Sequence, residues 1–149
     1  MEKSLMIFAY KTKFSCSYKM TNPNLSEQEN LMFYGLNNNI LGNSFELIIE
    51  FKGAIDPVNG MVLNHLKLNE FVKEFVINKV NNKFLNEEVD EFHHIVPTLE
   101  NLAFTFWNWL LVKINEKVLH SIKIIDSNGN YAMYKGEKLG TDDALDFVL

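Results

Sequence analysis

The side chains that could carry nucleophilic or metal chemistry are few and widely separated in this sequence. Cys16 is the single cysteine, and the four histidines are His65, the adjacent pair His93-His94, and His120. Adjacent side chains on a strand or turn point apart, so the pair is a poor clamp for one metal ion. A thiol nucleophile needs a neighbouring base or cation, and the sequence identifies none for Cys16. We therefore expect packing or surface roles for these residues.

Apolar periodicity predicts the elements that must position any site. Strict alternation is typical of a strand with one covered face, and apolar spacing of three and four residues is typical of a helix. A Pro-Thr pair indicates a helix start, and Asn128-Gly129 is a strong signal for a hairpin turn. The predicted elements are strands at 5–14, 44–53, 118–126 and 130–136, a helix at 65–80, and a second helix opened by Pro97-Thr98.

Residues 15–43 are polar and rich in turn residues, and we expect a long irregular segment there. One helical stretch interrupts it from Ser26 to Phe33, because Ser26 and Glu29 have the spacing of a capping box. A second polar loop is expected between the two longer helices. Loops of this length are usually functional or derived from functional ones.

The element order β-β-α-α-β-β predicts an α+β fold, a four-stranded antiparallel sheet with two helices on one face. The chain itself leaves the other sheet face uncovered, and Ile48 interrupts the polar pattern there. Such a face predicts self-association. We expect residues 1–137 to form a single domain and residues 138–149 to form a flexible acidic tail.

Composition restricts the possible partners. The net charge is −5 and all 14 basic residues are lysines, so the chain has neither a basic field for nucleic acid nor a guanidinium fork for phosphate. One cysteine excludes an internal disulfide and fits a reducing compartment. No apolar run is long enough to span a bilayer. The sequence predicts a cytoplasmic protein with no nucleic-acid or membrane partner.

A series of short landmarks runs through most of the chain in a fixed order. It comprises Phe14-Ser15, Asn22-Pro23-Asn24-Leu25-Ser26, Glu29-Asn30, Gly35, Phe45, Asp56-Pro57, Gly60-Met61-Val62, Pro97-Thr98, Glu100-Asn101 and Tyr134-Lys135-Gly136-Glu137. In this order and spacing, residues 10–137 resemble the animal-type 6-pyruvoyl-tetrahydropterin synthase family.

The resemblance implies a fold, an assembly and a reaction. It implies the tunnelling fold, in which subunits join their sheets into trimeric barrels that stack as a hexamer, with active sites between subunits. Family enzymes eliminate triphosphate from dihydroneopterin triphosphate on the route to tetrahydrobiopterin. They use a zinc ion held by three histidines, a cysteine as proton acceptor, an Asp-His pair that tunes it, and a glutamate that reads the pterin.

The resemblance places other residues where the family keeps its zinc ligands. Tyr18, Leu41 and Asn43 stand at those positions, the last two flanking Gly42. Catalytic zinc takes about three protein ligands from histidine, cysteine and carboxylates. Leucine offers no lone pair, an amide is a poor zinc ligand, and a lone phenol does not make a site.

The acid–base positions are replaced as well. The cysteine position falls at or next to Asn37, and the Asp-His pair falls on Asn81 and Asn82. Amides do not accept a proton near neutral pH, so no shift of register among the neighbouring asparagines restores a base. The sequence therefore predicts that both the metal site and the proton-transfer groups have been lost.

The pterin-reading side is retained by the same resemblance. Asp126 stands where the glutamate would be, and Thr98 and Glu100 keep the motif at the start of the second helix. A carboxylate facing the N–H donors of a pterin is a good charge-assisted partner. Two plainer interpretations stay open: Glu100 stabilises a helix N-terminus, and Asp126 opens the hairpin turn.

These observations predict a degenerate family member that is catalytically inactive, zinc-free and without a cofactor. It would act by binding a pterin or by assembling with an active paralogue, and otherwise with copies of itself as a trimer or hexamer. One alternative is a remodelled lyase that uses Cys16, Asp126 or Glu100 on a pterin or purine-like substrate. The other is a structural or interaction protein with a vestigial pocket.

Overall fold

The computed structural model describes residues 3–140, which build one antiparallel sheet with helices packed on one of its faces. The strands are β1 (Leu5–Lys19), β2 (Ile40–Ala54), β3 (Leu119–Ile125) and β4 (Tyr131–Tyr134). The α-helices are α1 (Glu27–Tyr34), α2 (His65–Val72), α3 (Leu85–Glu88) and α4 (Leu99–Leu110). A π-helical stretch, Lys73–Ile77, and a short α-helical segment, Asn78–Val80, continue α2.

The sheet has the order β1-β2-β3-β4, and every neighbouring pair is antiparallel. This confirms the predicted fold class and the predicted order of the four strands and two longer helices. β1 and β2 form a long ribbon from the Leu5–Ala54 pair to the Lys19–Ile40 pair. β3 pairs with β2 only over residues 46–51, so residues 40–45 extend beyond β3. This overhanging end of the ribbon carries the candidate site.

The core lies between the sheet and the helices. Phe14, on the covered face of β1, stacks on Phe45 of β2 and meets Phe106 of α4 edge-on, with ring centroids 5.1 and 5.5 Å away. Such aromatic contacts stabilise by about 0.5–1.5 kcal/mol beyond the area they bury. Ile122 and Ile124 of β3 are also fully buried on this face. The contacts hold α4 against the sheet and so fix the position of its N-terminus.

The opposite sheet face is not covered by the described part of the chain. Ile7 and Met133 are more than 40% exposed there, and Ile48 and Ile125 are half-buried. Lys11 and Glu46 form an ion pair at 3.4 Å on the same face. The uncovered face predicted from the sequence is therefore present.

The prediction of an irregular segment over residues 15–43 was wrong at both ends. β1 continues to Lys19 and β2 begins at Ile40, so the connection covers only residues 20–39. The strand signal was obscured because the outer-face positions of β1 carry small polar residues, Ser15 and Ser17, while its covered face carries Cys16 and Tyr18. Within the connection, the predicted capping box between Ser26 and Glu29 is present.

The polar loop predicted after residue 80 also contains more structure than expected. α3 and a 3-10 turn, Asp90–His93, bury Leu85, Val89 and Phe92 in the core. The predicted hairpin turn at Asn128-Gly129 is present, with Gly129 at φ 86°. No helix among residues 3–140 is long and apolar enough to cross a membrane. Most of the predicted acidic tail, residues 141–149, lies outside the described residues.

Candidate functional site

A cavity of about 470 Å³ opens at the overhanging end of the β1–β2 ribbon. Its walls come from the ribbon, the N-terminus of α4 and the β3–β4 turn. Seven of the residues predicted from the sequence line it together: Tyr18, Asn37, Leu41, Asn43, Thr98, Glu100 and Asp126. The fold therefore brings the predicted metal and pterin positions into one cavity.

The ribbon wall is a hydrogen-bonded pair of side chains next to an aliphatic one. Tyr18 lies directly across the strands from Leu41, and the Asn43 amide Nδ2 donates to the Tyr18 hydroxyl at 3.4 Å. The Tyr18 ring is 6% exposed and lies 5.9 Å from the ring of Phe45. A phenol, an amide and an aliphatic side chain do not fit zinc. No cluster of three metal-binding side chains occurs among residues 3–140.

The α4 wall is built by a helix start. Thr98 has extended backbone after Pro97, and its hydroxyl accepts from the Asn101 backbone N–H at 3.1 Å, which makes it the N-cap. Glu100 is exposed in the first turn of α4, where the helix dipole favours a negative charge. The helix-start interpretation of Glu100 therefore fits, and its side chain also lines the cavity.

The third wall is the β3–β4 turn. The Asp126 Oδ1 accepts from the backbone N–H groups of Asn128 and Asn130 at 2.9 and 3.0 Å, an arrangement that closes the turn. The same carboxylate lines the cavity beside those two asparagines. A turn role and a ligand role of Asp126 are thus compatible, because the turn is held by one carboxylate oxygen, Oδ1, and does not use the other.

Asn81 and Asn82 are not among the residues that line this cavity. The Asn81 Oδ1 accepts from the Ser15 backbone N–H at 2.9 Å, and the Asn82 backbone N–H donates to the Ser15 carbonyl at 2.6 Å. Asn86 extends the pattern, because its amide pairs with both backbone groups of Lys19 at 2.7 and 2.8 Å. These asparagines cover the outer edge of β1. The role of Asn86 was missed, since its partner is 67 residues away.

Cys16 has the environment of a structural cysteine. It lies on the same face of β1 as Tyr18 and is 6% exposed. Burial raises the pKa of the Cys16 thiol to about 12. The thiol is therefore protonated at neutral pH, and a protonated buried thiol is not a nucleophile.

The histidines also lie outside the cavity lining. His65 stacks on Phe8 with ring centroids 4.5 Å apart. The His93 Nε2 lies 2.9 Å from the Glu87 carbonyl oxygen, and the rings of His93 and His94 are nearly perpendicular. His120 lies where the β2–β3 register shifts. These are packing and surface positions, in agreement with the expectation from the sequence.

The fold and the cavity together define the class of protein. The fold of this chain, an antiparallel sheet with two longer helices on one face, is similar to that of the solved 6-pyruvoyl tetrahydropterin synthase of Caenorhabditis elegans. The TM-score is 0.85 at 27% identity, covering 92% of this chain and all of that one. An uncharacterized Wolinella succinogenes protein, 14% identical with a TM-score of 0.66, shares the fold alone.

Sequence comparison then gives the family. The sequence model for 6-pyruvoyl tetrahydropterin synthase matches residues 9–137. The 6-pyruvoyl tetrahydrobiopterin synthase of Dictyostelium discoideum is 33% identical over 132 residues, covering 89% of this chain and 97% of that protein. The human protein of that name is 32% identical over 129 residues, covering 85% and 89%. The chain belongs to the 6-pyruvoyl tetrahydropterin synthase family, and its fold is the tunnelling fold.

Proposed function

We propose that this protein is a zinc-free, non-catalytic member of its family that acts in the tetrahydrobiopterin pathway by binding a pterin. One observation carries the proposal. The cavity keeps two carboxylates on the α4 and turn walls, while the positions assigned to zinc ligands hold Tyr18, Leu41 and Asn43, two of which hydrogen-bond to each other. The residues assigned to pterin recognition line the cavity, whereas other residue types stand at the positions assigned to the zinc ligands.

The ionisable side chains of the cavity fit a site that binds a pterin without catalysing a reaction. Among its lining residues, only Tyr18, Glu100 and Asp126 have ionisable side chains, and Asn37 stands at or next to the position assigned to the proton acceptor. An amide cannot take up a proton near neutral pH. The Asp126 Oδ1 already accepts two backbone hydrogen bonds, which hold the carboxylate in one orientation. A pterin ring with adjacent N–H donors suits such a fixed acceptor.

Binding of a pterin is testable with a variant that removes one charge and keeps the turn. In Asp126→Asn, the amide oxygen can still accept from the Asn128 and Asn130 N–H groups. We expect sepiapterin to bind the wild type with about micromolar Kd. The variant should bind about 10- to 100-fold more weakly, since a hydrogen bond to a charged group contributes about 1.5–3 kcal/mol. Isothermal titration calorimetry measures both values.

A matched control comes from the same kind of turn elsewhere. The Asp56 Oδ1 accepts from the Val58 backbone N–H at 2.7 Å, and Asp56 is not among the residues that line the cavity. Asp56→Asn should leave the affinity for sepiapterin unchanged. If Asp126→Asn and Asp56→Asn bind alike, the turn carboxylate does not read the pterin. If the wild type binds no pterin, the protein acts through protein partners instead.

Self-association forms the second part of the proposal, and an apolar surface around α1 supports it. Leu31, Met32, Phe33, Leu36 and Ile40 are all more than half exposed within ten residues of chain. A second copy packed there would cover this apolar surface.

The double variant Phe33→Ser/Leu36→Ser tests this contact. We expect the wild type to sediment as an oligomer and the variant to shift toward the monomer at the same concentration, because burial of two large side chains is lost. Leu66→Ser, at a residue 79% exposed on α2, serves as the control. A variant that keeps the wild-type sedimentation coefficient would place the interface elsewhere, and a monomeric wild type would refute self-association.

A further inference from the structure

A groove of about 270 Å³ lies between the start of α2 and the segment that follows α4. Its lining combines apolar side chains with two lysines: Leu63, Leu68, Phe71, Ile114, Lys67 and Lys113. It shares no lining residue with the cavity at the ribbon end. We propose that this groove binds residues 141–149 of the same chain. The proposal does not depend on pterin binding.

The sequence of residues 141–149 combines acidic and apolar residues and contains no lysine. The acidic residues are Asp142, Asp143 and Asp146, and the large apolar residues are Leu145, Phe147, Val148 and Leu149. Such a segment is complementary to a groove with an apolar floor and basic side chains, since the apolar residues leave water and the charges are of opposite sign.

The groove offers both kinds of contact. Leu68 is buried at its floor, and Phe71 and Ile114 are half-buried beside it, so their outward surfaces are available for packing. Lys67 and Lys113 are exposed, and among residues 3–140 neither ammonium group pairs with a carboxylate. Aspartates that enter the groove would therefore meet two lysines that are not already neutralised by an ion pair within the described part of the chain.

The path of the chain after β4 leads toward this end of the molecule. Asn130, just before β4, lines the same cavity as Thr98 at the N-terminus of α4, whereas Gly136 lies against Trp107 near its C-terminus. Lys113 follows Trp107 by six residues, which corresponds to about 9 Å at the helical rise. Nine residues of extended chain span about 30 Å, so residues 141–149 are long enough to reach the groove.

Covalent attachment makes a weak interaction sufficient. A short linker holds its two ends at an effective concentration of about 1 mM. A groove that bound the separate peptide with a Kd of about 1 mM would thus be about half occupied within the chain. Individual exposed ion pairs contribute little, so we expect the apolar residues to contribute most of the binding and the aspartates to favour this groove over other apolar surfaces.

The test is photo-cross-linking in the full chain. Phe147 is replaced by p-benzoylphenylalanine, which keeps an aromatic side chain and forms a covalent bond to adjacent C–H groups on irradiation. We expect mass spectrometry to find the cross-links at residues 63–71 and 113–114. In the Lys67→Glu/Lys113→Glu background the yield should fall at least about fivefold, because two attractive contacts become repulsive.

Two further backgrounds control for charge and folding. Lys73→Glu/Lys135→Glu changes the net charge equally at two exposed lysines outside the groove lining, and it should leave the yield nearly unchanged. Adding Asp143→Lys/Asp146→Lys to the Lys67→Glu/Lys113→Glu background reverses both sides of the contact and should restore the cross-links. A misfolded groove would not be rescued in this way.

Cross-links at other positions, or none, would overturn the proposal. A yield that does not respond to Lys67→Glu/Lys113→Glu would overturn the part that rests on charge. Irradiation of an equal mixture of 15N-labelled and unlabelled chains identifies the source of the segment. Cross-links between labelled and unlabelled chains would mean that the groove binds the segment of a second copy, which overturns binding within one chain. The titrations with sepiapterin are unaffected by any of these results.

Discussion

Replacing Tyr18, Leu41 and Asn43 together by histidine is expected to create a zinc site, whereas we expect the wild-type protein to retain no zinc. The two strands already place these positions side by side, since Tyr18 faces Leu41 and the Asn43 amide reaches the Tyr18 hydroxyl at 3.4 Å. Three imidazoles there would meet at the cavity, which leaves the fourth position of a catalytic zinc site open. We expect an affinity gain on the order of 10³-fold or more.

Metal content after dialysis and competition with a chelating dye measure this gain. The double variant Tyr18→His/Asn43→His keeps Leu41 and serves as the matched control, because it supplies one ligand too few. It should bind zinc far more weakly than the triple variant. Stoichiometric zinc in the wild-type protein would refute the proposal that the family metal site has been lost.

Turnover is expected to be absent even when zinc is restored. In the triple variant the proton-acceptor position would still hold Asn37, and Asn81 would still be hydrogen-bonded to the Ser15 backbone at the edge of β1. Zinc can polarise a bound group, but a proton acceptor near neutral pH would be missing. Zinc binding without triphosphate release from dihydroneopterin triphosphate would show that a zinc site alone is not sufficient for turnover. Triphosphate release by the triple variant would contradict this prediction.

The regular elements and the family could be predicted from the sequence because both leave local patterns. Alternation marked the central part of β2, and apolar spacing marked α2 and α4. The capping box at Ser26 and the hairpin at Asn128-Gly129 follow from residue types a few positions apart, so tertiary context is not needed to recognise them.

The edge of β1 could not be predicted because its partners are distant in the sequence. Asn81 and Asn86 bind backbone groups of Ser15 and Lys19, more than sixty residues earlier. Asparagine side chains that mimic a strand carry no periodic signal of their own. The sequence indicates only that Asn81 stands where the family is expected to have an aspartate. In the structure, its side-chain amide also accepts a hydrogen bond from the Ser15 backbone N–H, a role that an amide fulfils well.

Asp126 shows how a single residue can satisfy two interpretations. The sequence left a turn role and a pterin role as alternatives for Asp126. In the structure, the Asp126 carboxylate closes the turn, and Asp126 also lines the cavity. The distinction between the two roles therefore depends on binding measurements with a variant that preserves the turn.

Gly136→Ala is expected to destabilise the fold strongly, because it combines two separate costs. Gly136 has φ 76°, a left-handed conformation that costs a residue with a side chain about 1–2 kcal/mol. An added Cβ would also lie 2.5 Å from the Trp107 Cζ2 atom, closer than real contacts allow. Overpacking of this kind costs about 1–3 kcal/mol. Urea denaturation should show a loss of about 2–5 kcal/mol in the free energy of unfolding.

Gly129→Ala is the control, because it has the backbone cost without the steric contact. Gly129 has a similar φ of 86°, but a Cβ added there meets nothing within 4 Å. The difference between the two variants therefore measures how firmly Trp107 is held, and we expect Gly136→Ala to be the more destabilised by at least about 1 kcal/mol. Trp107 also contacts Tyr134 of β4, with ring centroids 5.2 Å apart, so a rigid ring anchors the last strand to α4. Equal losses would show instead that the indole moves aside freely and that the strand is held by its backbone pairing alone.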